Sequence, residues 1–195
     1  PLRLVGSEMC IRDSHCTAHT YDPSIIRCLV KTKSLDFPLY KELNAKSNFM
    51  IPFKDITLAD KDTITSFTMK SDRRNCDLSF SNLCSWRFLY DTQFAVVDNF
   101  LVFKFWAGEQ LAYMMPVGTG DLKAVLWELI EDARKENQHF CMLGVCSNMR
   151  ADLEAILPEQ FTFTEDRDYA DYIYLRSDLS TLKAVSYTHL RAHET

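Results

Sequence analysis

No apolar run in this chain approaches the roughly 20 residues that a membrane-crossing helix needs; FLVFKFWA at 100–107 is interrupted by Lys104. A membrane span is therefore not expected, and the reading is a cytoplasmic protein. Cys76, Cys84, Cys141 and Cys146 include no C-x2-C pair, so neither zinc nor thioredoxin chemistry is signalled, and these thiols read as buried and reduced. Histidine is nearly absent from the part of the chain that carries regular patterning, where His139 stands alone. Metal sites and Ser/His/Asp triads would have to rest on that one residue, which reads instead as a polar side chain just past a helix end.

The two ends of the chain are related in a way that folded proteins have no reason to obey. Leu4 to Asp13, LVGSEMCIRD, can be encoded by a DNA string whose reverse complement translates as VSYTHLRAHE, which is Val185 to Glu194. Residues 1–14 and 184–195 are accordingly taken as translated sequencing adapter, an artefact to be set aside in fold reasoning. This removes His189 and His193, whose H-x3-H spacing would otherwise suggest a zinc site. The segment 15–49 shows no sustained period of 2 or 3.6 and is expected to be upstream read-through or a disordered extension, with Met50 as the native start; a short genuine N-terminal extension is the alternative. The chain opens on Pro1, and the native sequence is expected to continue beyond Lys183.

Basic charge is also in short supply. The whole chain has 22 Lys and Arg against 27 Asp and Glu, and eight of the former and six of the latter lie outside 50–183, which leaves 14 against 21. A domain at −7 lacks the basic footprint that stand-alone nucleic-acid binding requires. Its length suits one domain with a real core.

What is present is a regular alternation of elements. Thr57 with Asp60 marks a helix start, and Leu58, Ile64, Phe67 and Ser71 space a helix ending near Lys70. Ser79 caps a short helix carrying Phe80, Leu83, Trp86 and Arg87. Strands are expected at Gln93 to Val97, Phe100 to Trp106 and Gln110 to Val117, joined by Asp98-Asn99 and Ala107-Gly108-Glu109 as antiparallel hairpins. A long helix from Asp121 to Asn137 bears Leu122, Val125, Leu126, Leu129, Ile130 and Ala133 on one stripe. Phe140 to Cys146 reads as a buried strand, Asn148 as the cap of a helix Met149 to Leu157, and Phe161 to Thr164 and Tyr172 to Leu175 as the last strands. The order predicts a single α/β layered domain with a mixed, largely antiparallel sheet flanked by helices.

The chemically suggestive spot is PVGTGD, Pro116 to Asp121, where a strand passes into the long helix. Glycines allow a ligand to approach the backbone, and the first helical amides favour a phosphate or pyrophosphate. Gly118, Thr119 and Gly120 are the candidate cofactor-binding residues. The same residues also suit a tight strand-to-helix turn capped by Asp121, whose charge works against an anion, so both readings stand.

The element order with this turn resembles the GNAT-type acetyltransferase fold, in which an R/Q-x-x-G-x-G/A loop cradles the pyrophosphate of acyl-coenzyme A. The matching window is MPVGTG, with Met115 where that family carries Arg or Gln. CDLSFSNLCSWR at 76–87, the Pro-x-Gly loop and YIYLRSDLSTLK ending at Lys183 more closely resemble the phosphatidylglycerol lysyltransferase C-terminal-like family. That resemblance implies an aminoacyl or acyl transferase with acyl-coenzyme A or aminoacyl-tRNA as donor, built as two acetyltransferase-like halves, of which this is the first. It also implies a missing C-terminal half as partner, with the basic charge for tRNA lying there and no strong nucleic-acid binding by this half. A non-catalytic binding or scaffolding half is the alternative. Asp77, Trp86 and Arg87 carry the family motif, but a capping Asp, a core Trp and an ion-pairing Arg explain them as well, and no residue is assigned as acid or base.

Overall fold

Two tight turns set up the centre of the sheet. Asp98 and Asn99 both take left-handed backbone angles (φ 44° and 62°), and Gly108 follows at 67°. Asp, Asn and Gly are the residues that tolerate this geometry, and turns of this hand match the twist of the strands they join. The computed structural model describes residues 27–33, 50–71, 73 and 75–166. Around these turns run β3 (Gln93–Val97), β4 (Phe100–Ala107) and β5 (Gln110–Met114), antiparallel neighbours in register Val97↔Phe100 and Ala107↔Gln110.

The remaining strands are β1 (Arg27–Thr32), β2 (Lys54–Asp55), β6 (Val117–Gly118), β7 (Cys141–Val145) and β8 (Phe161–Asp166). Among the described residues the sheet has eight strands in the order β2-β3-β4-β5-β7-β1-β8, with β6 paired to β4 off this path. Every pairing is antiparallel except β5 with β7, which are linked through α3 (Leu122–Lys135) and joined at Tyr113↔Met142 and Met114↔Leu143. The fold is thus mixed α/β with a mostly antiparallel sheet, as the element order predicted.

Helices cover both faces. On one side, α3 and α4 (Ser147–Ile156) bury Val125, Leu126, Leu129, Met149 and Leu153 against Val102, Leu111, Tyr113 and Met142. On the other, α1 (Lys61–Thr68) and α2 (Phe80–Tyr90) bring Ile64, Leu83 and Cys84 onto Phe94, Leu101, Phe103 and Val117. Alternate residues of β4 feed opposite cores, as a pleated strand requires. The first of these helix faces is pinned by a partly buried polar network. Tyr113 donates its hydroxyl to Asp132 at 2.7 Å, and Lys104 pairs with Asp132 at 3.3 Å and Glu136 at 3.5 Å. Burial and then the Asp132 carboxylate push the Tyr113 hydroxyl well above the ordinary phenol range, so it stays a proton donor.

Several sequence expectations are corrected in detail. The first helix starts with a short 3-10 turn, Leu58–Asp60, and Leu58 faces solvent at 76% exposure, because only Ile64 and Phe67 turn toward the sheet. The expected Asn148 cap sits inside the first turn of α4, whose N-cap is Cys146. The strand expected to run unbroken to Val117 stops at Met114. Cys84 and Cys141 are buried, but Cys76 is exposed, at the start of a 3-10 turn. Strand β1 rises from a stretch without periodicity and lies between β7 and β8, with Val30 fully buried opposite Met142 and Phe163. The strand expected at Tyr172 to Leu175 lies outside the described residues. No helix among the described residues is long and apolar enough to cross a membrane.

Two outcomes follow from this packing. Val30→Asp places a carboxylate without a partner between β7 and β8, and urea denaturation should register a loss of about 3 kcal/mol or more. A negligible loss would mean that β1 does not belong to the sheet. The second outcome concerns Asp60, which accepts from Lys54 Nζ at 2.6 Å and from the Thr57 hydroxyl and amide at 2.6 and 2.9 Å. The Lys54 bond, then the Thr57 hydroxyl, hold its carboxyl down from 3.8 to about 2. A depressed folded-state value stabilises the fold above the ordinary Asp range and ceases to do so as pH falls toward 2. The stability gap between the parent and Asp60→Asn should be full at pH 5 to 7 and close between about pH 4 and 2.

Candidate functional site

A proline cannot donate to a strand ladder, and the chain places Pro116 where the ladder slips. Between the pairs Lys104↔Tyr113 and Leu101↔Val117, β4 has two residues, Val102 and Phe103, whereas the opposing chain has three, Met114, Met115 and Pro116. This one-residue excess is a β-bulge. Its effect is visible in which core each side chain enters. Leu111, Tyr113 and Met115 enter the core under α3 and α4, but Val117 enters the opposite one. Without the extra residue, Val117 would have followed the odd-numbered positions.

The bulge also ends the contact between β5 and β7. Their ladder closes at Met114↔Leu143, after which β6 pairs with β4, while β7 runs on to Val145 and into α4. Arg73, from the segment between α1 and α2, occupies this point. Its two terminal nitrogens each donate at 2.5 Å, one to the Met115 carbonyl and the other to the Pro116 carbonyl. Burial lowers the guanidinium from its ordinary range to about 10, and the nearby Cys146 and Asp152 partly restore it, so it is cationic at neutral pH. Sequence reasoning passed over Arg73 because a lone Arg in a linker has no pattern, and its partners lie 42 and 43 residues away.

Gly118, Thr119 and Gly120 lie on the other side of the bulge. Gly118 is in β6 opposite Phe100, and a Cβ there would lie 2.1 Å from the Asn99 carbonyl oxygen. Gly120 has φ +146°, and a Cβ there would meet the Asp98 carbonyl and the Phe100 ring, each at 3.2 Å. Both glycines are therefore required by close approach to the β3–β4 turn, a protein surface. Thr119 is exposed between them. Asp121 caps α3 through its side chain, which accepts from the Ala124 amide at 3.1 Å. Behind the turn, Glu128 has its carboxyl pKa raised by burial and by Asp98, and its Oε2 is buried with no hydrogen-bond partner. A pyrophosphate at this loop would meet an acidic cap and the Asp98–Glu128 pair, with no cation at position 115, since Met115 is buried in the core. These residues do not fit the pyrophosphate of acyl-coenzyme A.

The motif residues Asp77, Trp86 and Arg87 lie in α2 and in the turn just before it. Asp77 lies in the 3-10 turn Cys76–Leu78. Trp86 is half-buried on α2 with its ring 6.3 Å from that of Tyr90, and Arg87 donates to the Cys84 carbonyl and lies 4.0 Å from the centre of the exposed Phe88 ring.

A bulged, mostly antiparallel sheet between two pairs of helices is the class of domain that geometry defines. Comparison with protein families adds a specific match, since residues 68–194 fit the model described as phosphatidylglycerol lysyltransferase, C-terminal. The chain belongs to that family. No curated protein matches it. Among solved structures, it is similar to a conserved protein of unknown function from Bacteroides thetaiotaomicron, at 89% identity and a TM-score of 0.67. That alignment covers 69% of this chain and 45% of the other, so the chain spans less than half the length of its relative.

If close approach explains Gly118, then Gly118→Ala should destabilise the fold by about 3 kcal/mol or more, through a clash that only backbone movement relieves. Gly108→Ala is the control, because a Cβ there meets nothing within 4 Å and the strain is that of a positive φ alone. It should cost about 1–2 kcal/mol. Equal losses in thermal or urea unfolding would remove the packing explanation.

Proposed function

We propose that this domain is the first of two acetyltransferase-like halves of an aminoacyl or acyl transferase, and that it supports and positions substrate without holding the activated donor. The family is named for a lysyltransferase, which supports aminoacyl-tRNA as the donor and an amine or hydroxyl as the acceptor. The greater length of the solved relative supports a second half. Orientation of the donor carbonyl, stabilisation of its oxyanion and removal of the acceptor proton then fall to that half. Aminoacyl-tRNA is a cytoplasmic molecule, and the cytoplasm is the location we assign.

One observation carries the supporting role. The spaces that Gly118 and Gly120 leave open are filled by the β3–β4 turn, and the helix start behind them is capped by Asp121. The acidic balance of 50–183 supports the same role, since a tRNA-holding half would be basic. The competing assignment gives Gly118, Thr119 and Gly120 to the donor, and it is favoured by the end of the β5–β7 ladder beside them.

Titrating the chain with coenzyme A, acyl-coenzyme A and an aminoacyl-tRNA analogue, while following the backbone amides of Val117 to Leu122 by NMR, separates the two. The expected result is no saturable change at these amides. A saturable shift centred on Gly118 to Gly120 would overturn the supporting role and install the loop as the donor site.

A further inference from the structure

The four helices differ in what they show to solvent. The exposed positions of α1 include Lys61 and Asp62, those of α3 include Lys123, Arg134 and Lys135, and those of α4 include Asp152 and Glu154. On α2 they are Ser81, Ser85, Phe88 and Leu89, with no charge among them. Phe88 is 80% exposed and Leu89 48%. At the end of α1, which covers the same face of the sheet, Met69 is 81% exposed. None of the large apolar side chains exposed among the described residues lies on α3 or α4.

The other face of α2 packs on the sheet through Leu83 and Cys84, so apolar residues run round this helix. A helix of that kind belongs between two layers rather than at a surface. Its one charge does not break up the outer face. Arg87 donates to the Cys84 carbonyl and lies 4.0 Å from the centre of the Phe88 ring, where it holds that ring against the helix. A ring fixed in this way loses little freedom when it is covered, which suits it to be an anchor for a partner surface.

We propose that the outer face of α2, centred on Phe88 and Leu89, is where the second half of the protein docks. Two observations select that occupant over a second copy of this chain. The solved relative, 89% identical where it aligns, has more than half of its length outside the alignment, which is enough chain to form a further layer. The patch itself is small. Two such side chains present a few hundred Å² at most, whereas a stable dimer of separate chains buries roughly 800 Å² on each partner. A half joined covalently meets the patch at high effective concentration and stays docked on a smaller area. The proposal rests on the two-half reading given above and adds the surface through which the halves meet. The two fail separately, because the supporting role is read at amides 117–122 during donor titration and docking at the α2 side chains with no donor present.

Hydroxyl-radical footprinting read by mass spectrometry tests this on two proteins. One is the present chain; the other is the same chain joined, in the relative's own order, to the part of the solved relative that lies outside the alignment. Labelling of Phe88 and Leu89 should fall by about fivefold or more in the longer protein, because the core of an interface is cut off from water. His139, exposed past the end of α3, should be unchanged. Phe88→Asp should return Leu89 in the longer protein to within about twofold of its rate in the present chain, since an unpaired carboxylate is excluded from an apolar contact. If that variant fails to fold, Leu89→Ser, read at Phe88, carries the comparison. Unchanged labelling in the longer protein, protection no greater than at His139, protection that survives the substitution, or strong protection already in the present chain would each overturn the proposal. So would a dimer of the present chain, detected by sedimentation velocity, in which Phe88 is protected.

Discussion

One extra residue in the strand that follows β4 governs the rest of this domain. Because Met115 and Pro116 oppose a single ladder position, the chain beyond them is turned over, and Val117 joins the α1/α2 core. The same excess separates the end of β5 from β7 and allows β6 to stay with β4. A bulge leaves main-chain carbonyls without ladder partners, and buried carbonyls need donors. Arg73 supplies two from one rigid group. The register of β6, the glycine contacts with the β3–β4 turn and the approach to α3 all depend on that fit.

The sequence was most legible where a local signal coincided with burial. The hairpins at Asp98-Asn99 and Gly108 were readable because left-handed turns demand those residue types, and the α3 stripe was readable because one face is buried from Val125 to Ala133. The bulge was not, since strand periodicity continues through Leu111, Tyr113 and Met115 and gives no warning that Val117 changes side. Pro116 was the available signal, as a residue that interrupts any central ladder. Strand β1 escaped notice for another reason. Its apolar residues, Cys28 to Val30, run together between charged neighbours without the alternation that marks a strand.

The candidate site was read from the sequence as a motif, and the structure divides it into two environments. Glycine in a G-x-G turn is compatible both with an open cradle and with a crowded backbone, because either requires the absence of a Cβ. The deciding information is what occupies the vacated space, and here it is the Asn99 carbonyl and the Phe100 ring. The negative charge of Asp98, Asp121 and Glu128 gathers at that turn, whereas the Arg73 guanidinium meets the bulge at the Met115 and Pro116 carbonyls.

This separation explains why a cation is absent at position 115. The Met115 side chain points into the apolar core with Val125, Leu126 and Met149, where a guanidinium would be buried far from water. Its carbonyl points elsewhere, toward Arg73. The bulge therefore dissociates the side chain of residue 115 from its main chain: the side chain serves the core, and the charge that meets its backbone arrives from the α1–α2 segment. A sequence motif assumes that the residue at a position supplies the chemistry at that point in space. In this domain, positive charge at the bulge depends on a residue some forty positions earlier, and the integrity of the segment carrying Arg73 becomes as important to the site as the loop itself.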